Sequence, residues 1–272
     1  MQAIGGMMAA WEIWERAMVP SLLSGAATWT GIMEEEEKMC DKLQELFWRV
    51  MFRVPESCPR IALQAETRMI SMKHRIWILK LSFMLKLNKQ SPTTLSRLIL
   101  EEQRANNWPG LSKEVSEICE ILKIPDLNDN DFEISTGSIK EAVMEHHDLE
   151  LKEKILKSKK MEKVKDGDFS KVQDYLSGKS IDNTRMAFKI RCEMVEEIKG
   201  NFKDKYKRQG GEEALICQDC DCGDVQTQSH CLVCPKWNDI RTGLELDRID
   251  DMVKFFQQLL RERMDNKTGS ES

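Results

Sequence analysis

The stretch Cys217-Gln-Asp-Cys220-Asp-Cys222-Gly-Asp-Val-Gln-Thr-Gln-Ser-His230-Cys231-Leu-Val-Cys234 carries five of the nine cysteines and one of the four histidines in the chain. Zinc takes thiolate and imidazole ligands at tetrahedral corners, with Zn–S near ~2.3 Å. Two cysteines separated by two residues can place both sulfurs on one edge of that tetrahedron, and Cys217 and Cys220 have this spacing. A second pair must come from across the loop. His230 with Cys234 gives C-x2-C-x9-H-x3-C, and Cys231 with Cys234 gives C-x2-C-x10-C-x2-C. Both are structural zinc spacings. The only sizeable aliphatic residues between the outer cysteines are Val225, Leu232 and Val233. Ordering such a loop costs ~1–2 kcal/mol per residue in backbone entropy, and three aliphatics do not offset that. A bound zinc, worth ~10–16 kcal/mol in small zinc-finger peptides, would. Four good ligands leave no open position for water, and no nearby Glu is spaced as a general base. The expectation is therefore a structural Zn2+ held by Cys217, Cys220, Cys234 and either His230 or Cys231.

The rest of the chain points to helix. Sixteen Met against two Tyr, with frequent Leu, Lys and Glu, favour helix over sheet, so the expected fold class is mainly α. Its 272 residues suit one large or two small domains. Cys40, Cys58, Cys119 and Cys192 are scattered singly, most of them inside apolar stripes, which reads as buried free thiols in a reducing compartment. No run approaches eighteen apolar residues, so no membrane span is expected. The first ten residues carry no positive charge and do not form a secretory signal. An intracellular location, nucleus and/or cytoplasm, follows as the expectation.

Residues 8–29 read as one or two amphipathic helices broken by Pro20 and Gly25, with Trp11, Trp14, Met18, Leu22 and Leu23 forming a stripe that needs a surface to cover it. Glu34 to Glu37 open a helix whose first-turn acids complement the dipole. Behind them Met39, Leu43, Leu46 or Phe47, and Val50 recur at helical spacing. Residues 64–87 read as one helix burying Met69, Met72, Ile76, Leu79, Phe83 and Leu87. Further helices follow from Ser91 to Arg104 and from Leu111 to Leu122. Asn128-Asp-Asn-Asp is a polar linker, residues 137–165 form a long charged helix, and Gly167-Asp168 breaks it. His146-His147-Asp148 sits on that helix; adjacent helical residues point about 100° apart, so the pair is expected to be exposed and a poor chelate. Residues 181–199 and 249–264 are again amphipathic, the last with Met252, Phe255, Phe256, Leu259 and Leu260 inward. Asp250-Asp251 reads as the acidic first turn of that helix.

The net charge is −5, yet the charge is unevenly spread. From Thr67 to Leu100 there is no acid, while Arg68, Lys73, Arg75 and Lys80 fall on the helix there, and Lys86, Lys89 and Arg97 beyond them. Such a face can track a phosphate backbone through counterion release. A second basic strip, Asn201-Phe-Lys203-Asp-Lys205-Tyr206-Lys207-Arg208, directly precedes the cysteine loop. Its aromatics can stack on bases while the cations hold phosphates.

Several stretches together resemble one family. Trp11-Glu-Ile-Trp-Glu-Arg, followed by Pro20-Ser-Leu-Leu-Ser-Gly-Ala and Trp29, is similar to the segment after the catalytic palm of LINE-type (non-LTR) retrotransposon reverse transcriptases. So are Lys42-Leu-Gln-Glu-Leu-Phe-Trp-Arg49, Val54-Pro-Glu-Ser-Cys-Pro59 and Ile61-Ala-Leu. The cysteine loop with Cys234-Pro-Lys-Trp-Asn-Asp-Ile-Arg241 is similar to the Cys-Cys-His-Cys module near the end of those polyproteins. The family more often has four residues between His and the last Cys; here there are three, which leaves His230 against Cys231 open. The resemblance implies a thumb-like helical region (1–127), a charged helical linker region (128–182), a basic strip with zinc knuckle and C-terminal helix (183–264), and a disordered tail (265–272). It implies a grip on RNA template or RNA–DNA duplex by a chain without the palm's aromatic-x-Asp-Asp signature, hence no catalytic residues and no polymerase activity of its own. The alternative expectation is a zinc-stapled module that binds a protein partner or a second copy through the 249–264 helix, or an inactive truncated remnant. No membrane partner is expected.

Overall fold

The computed structural model describes residues 6–31, 34–128, 134–158, 173–178, 180–220 and 222–269. The fold is mainly α. Helix α1 (Gly6–Ile13) passes through a π turn at Trp14–Met18 into α2 (Val19–Leu22), and Gly25, at φ 78°, turns the chain into a short 3-10 segment, Ala26–Thr28. Then follow α3 (Glu34–Phe52), α4 (Arg60–Thr67), α5 (Met72–Asn88), α6 (Leu95–Ala105), α7 (Leu111–Leu122) and α8 (Thr136–Lys157). The second half holds α9 (Ile181–Arg191), α10 (Lys203–Gly210), α11 (Gln228–Val233), α12 (Asn238–Arg241) and α13 (Ile249–Gly269). Among the described residues the one β feature is an isolated antiparallel bridge, Ile216 to Val225. No helix among them is long and apolar enough to cross a membrane.

Helix α5 is the hub: α3, α6, α7, α8 and the Ala26–Thr28 segment all pack on it. The single helix expected over 64–87 is in fact two. Arg68 adopts the left-handed conformation (φ 52°) and the Met69 N–H turns back to the Gln64 carbonyl at 3.3 Å, ending α4. The new start is held from outside, since Asp41 Oδ1 on α3 accepts from the Met72 N–H at 2.8 Å. The N-terminal stripe finds its cover within the chain. Trp14, Val19, Leu23 and Ala26 form one core with Met72 and Ile76, and Trp11 meets Trp48 edge-on at 5.8 Å.

On α3 the expected face is reversed. Met39, Leu43, Leu46 and Val50 all face solvent, while Gln44, Trp48 and Phe52 are buried. Two stripes compete on this helix, and the aromatic one has partners: Phe52 stacks on Phe188 at 4.0 Å and Trp48 on Phe52 at 5.8 Å. Aromatics bury more area per residue than aliphatics, so that face is turned inward. Helix α8 ends at Lys157 rather than at 165. The lysine-rich stretch beyond it, the break at Gly167-Asp168 and the linker from residue 129 lie outside the described residues. Helix α13 continues past 264 to Gly269, and Asp250 and Asp251 form its acidic first turn. Its apolar residues Phe255, Phe256 and Leu259 are buried, and the helix packs against α9.

One buried polar node ties α4 to α9. Glu66 is 1% exposed and receives Arg191 Nε at 3.0 and 2.8 Å and Tyr175 OH at 2.6 Å. Burial, with the Glu66 carboxylate beside it, pushes the Tyr175 phenol well up. Removing one partner of such a pair strands the other charge. Glu66→Gln should therefore lower the unfolding free energy by about 3 kcal/mol in a urea titration. Tyr175→Phe should cost only about 1 kcal/mol, the worth of one hydrogen bond.

Candidate metal centre

The cysteine loop is built as a short hairpin closed by a helix. The Leu215 carbonyl accepts from the Gln226 N–H at 2.8 Å, and the Asp224 carbonyl accepts from the Cys217 N–H at 2.8 Å. Thr227 then caps α11, its Oγ1 accepting from the His230 N–H at 3.0 Å. These bonds bring Cys217, Cys220, His230 and Cys234 together, with their donor atoms all within 4.8 Å of one another. This cluster could hold a metal ion. Cys217, His230 and Cys234 are buried, so the donors are shielded from water. His230 directs Nε2 at Cys220 Sγ, 3.5 Å away, and turns Nδ1 toward Asp224 Oδ2 at 3.6 Å. A carboxylate behind the imidazole is the usual orienting partner of a metal-bound histidine.

The choice between the two candidate third ligands is resolved by helix geometry. Adjacent residues on α11 point different ways, and Cys231 points to the other side, where its sulfur lies 3.9 Å from Arg263 Nη2. The group of donors within 4.8 Å of one another takes in His230 and not Cys231. Cys222 lies on the solvent side, its sulfur 2.7 Å from Cys220 Sγ and 3.7 Å from His230 Nε2. A fourth thiol therefore stands beside the three thiols and the imidazole.

The loop is anchored to the body by Asp219, which pairs with Arg263 of α13 and accepts from Gln226 Nε2 at 3.2 Å. Arg263 also lies over the Trp237 ring at 5.6 Å, and Trp237 is buried beneath the cluster with Phe255 and Phe256. Gly200 closes the other side, its N–H donating to the Gln226 carbonyl at 2.9 Å. A Cβ there would stand 2.7 Å from that oxygen, so only glycine lets the strands approach this closely.

The two basic surfaces expected from sequence fare differently. On and beside α5 four of the cations are paired within the chain, while Lys86 and Lys89 are exposed. Arg75 makes a bidentate pair with Glu15 at 2.5 and 2.9 Å. Lys80, 5% exposed, is held by Glu114 at 2.5 Å. Arg68 faces Asp148 and Lys73 faces Glu150, each at 3.6 Å. The acid-free window is thus matched by acids from other helices, and Arg68, Lys73, Arg75 and Lys80 present no free cationic face. Helix α10 differs: Lys203, Lys205, Lys207 and Arg208 are exposed and Tyr206 is half-buried. Lys205 lies over the Tyr206 ring at 5.6 Å, Lys207 pairs with Glu212, and Arg208 Nε donates to the Asp204 carbonyl at 3.0 Å.

His147, expected exposed, is buried instead, because α8 packs along α5 and its inward side carries Ile139, Val143, His147, Leu151 and Ile155. His146 and Glu150, one turn apart, stand beside His74 of α5, a residue that sequence reading passed over. The i,i+4 spacing of His146 and Glu150 was a visible signal; the arrival of His74 from a distant helix was not. No protein-family model, curated protein or solved structure gives a significant match to the chain.

Cobalt(II) titration followed at the thiolate charge-transfer band reads this centre alone. Cys231→Ala should keep the band, Cys217→Ser should weaken it, and His230→Ala should lower cobalt affinity while thiolate charge transfer persists at saturation. Asp224→Asn should weaken cobalt affinity by ~10-fold, as loss of an orienting partner does.

Proposed function

We propose that the chain is a non-catalytic nucleic-acid-binding unit of the kind its resemblance to LINE-type reverse transcriptases implies, with a structural Zn2+ in the Cys217, Cys220, His230, Cys234 cluster. Three thiolates and an imidazole are a soft, closed donor set that suits zinc and leaves no open position. The zinc would order the loop and hold the cationic helix beside it; the reading assigns the chain no chemistry of its own.

The observation that carries the proposal is the placement of α10. It is a solvent-facing cationic helix seated beside the metal cluster through the Gly200 to Gln226 bond and the Leu215 to Gln226 bond. Lys203, Lys205 and Arg208 line a groove of about 640 Å³ that also takes in Phe202 and Asn201. Cations at the rim of a groove gain affinity for a phosphate chain by releasing its counterions, and aromatics within reach of the strand stack on bases. Glu196 and Asp204 also line this groove. With a net charge of −5 they make the site one of local contacts rather than of long-range steering. A single RNA strand, or the exposed backbone of an RNA–DNA duplex, is the ligand this arrangement favours.

The alternative, a zinc-stapled module that self-associates, has one observation on its side. The exposed Met39, Leu43, Leu46 and Val50 follow an i, i+4, i+7, i+11 stripe on α3. Concentration-dependent mass in sedimentation equilibrium, without RNA affinity, would decide for it.

Fluorescence anisotropy of a labelled single-stranded RNA against the zinc-loaded protein tests the main reading. Affinity should fall steeply with salt, and chelation should abolish it. Replacing Lys203, Lys205 and Arg208 by Glu should weaken binding for all sequences and reduce the salt slope by roughly one per removed phosphate contact. Unchanged affinity and slope in that variant would sink the assignment of α10.

A further inference from the structure

The second histidine cluster is built from two helices. His74 of α5 is buried and directs Nε2 toward His146 Nδ1 of α8, 3.2 Å away. Glu150, one turn further along α8, brings Oε1 to 3.9 Å from the same His146 nitrogen. All three donor atoms lie within 4.8 Å of one another. A Zn–N bond of ~2.0–2.1 Å sets tetrahedral nitrogen–nitrogen edges near about 3.3 Å, so the two imidazoles are already spaced as neighbouring corners.

From this geometry we infer a second metal site in which His74 Nε2, His146 Nδ1 and Glu150 Oε1 bind a first-row divalent ion such as Zn2+.

Two further observations support the assignment. His74 Nδ1 is 2.7 Å from Ser71 Oγ. With Nδ1–H donating there, the lone pair of Nε2 faces the site, the arrangement by which outer partners orient metal-bound histidines. Ser71, His74 and Glu150 also line an open cleft of about 470 Å³, which gives an ion a route in. Two imidazoles and one carboxylate leave at least one position for water, unlike the closed cysteine cluster.

The charged neighbours are compatible with an ion. Lys73 sits 3.6 Å from Glu150 Oε1, and Lys154 sits 3.0 Å from Oε2. Both stems reach solvent, so Lys73 can yield Oε1 to the metal while Lys154 keeps the other oxygen. Asp148 is occupied by Arg68 and His147 on the far side. The ion would clamp α5 to α8 at a place where the two helices otherwise meet through paired side chains.

This inference does not rest on nucleic-acid binding, and its test separates the two metal sites. Full-length protein is loaded with zinc, dialysed, and its zinc content measured by mass spectrometry for wild type and His146→Ala. His146 is a partly exposed side chain, so the variant keeps its core; circular dichroism checks that it does. The content should fall by one zinc per chain in His146→Ala. Glu150→Gln should weaken the same site. Cobalt(II) added to protein that keeps zinc in the cysteine cluster, its second site emptied by mild chelation, should give ligand-field bands without thiolate charge transfer, and His146→Ala should lose them. Zinc content that does not change between wild type and folded His146→Ala would overturn the site and leave a hydrogen-bonded histidine pair.

Discussion

Helix α5 lies at the centre of the helical bundle and yet carries several cations into it. Desolvating a lysine or an arginine costs several kcal/mol even after relaxation, so the cations that α5 carries inward need partners, while Lys86 stays in solvent. Glu15 answers Arg75 from the π turn, Glu114 answers Lys80 from α7, and Glu150 answers Lys73 from α8. Glu114 does double duty, since its other oxygen accepts from the Gly31 N–H at 2.6 Å. The hub is thus complete only when segments far apart in sequence have arrived together. The N-terminal helices belong to this core for the same reason: they bring Glu15 as well as Trp14.

The C-terminal half solves a different problem. Its loop between Cys217 and Cys234 has too little apolar surface to order itself, and it is braced at three points instead. The donor cluster draws its ends together, Arg263 holds Asp219, and Trp237 fills the space beneath with Phe255 and Phe256. The position of α10 is downstream of all three, because Gly200 and Leu215 attach it to the same hairpin. A function placed on α10 therefore depends on the cysteine loop without any ligand having to touch its donor cluster.

Helix class and the spacing of Cys217, Cys220 and Cys234 were legible in the sequence because both are local properties. What was not legible depended on what comes from elsewhere in the chain. An acid-free window from Thr67 to Leu100 reads as a free positive face, but its counter-charges come from Glu15, Glu114, Asp148 and Glu150, none of them inside the window. Helix α3 has two apolar stripes, and periodicity cannot rank them; Phe188, supplied by α9, does. His230 and Cys231 are neighbours with equally good spacing, and the decision belongs to the Thr227 cap and to Arg263. His146 and Glu150 share a helix face in any reading, but nothing local announces His74.

The depth at which the thiols sit divides them chemically. Cys58, Cys119 and Cys192 are buried, and burial lifts each of them, Cys58 to about 11. These sulfurs are shielded by lack of access. Cys222 is exposed at the lip of the metal loop. An electrophile diffusing up to the native chain therefore meets the metal loop first, and the rate at which it alkylates Cys222 becomes a clock for the state of that loop.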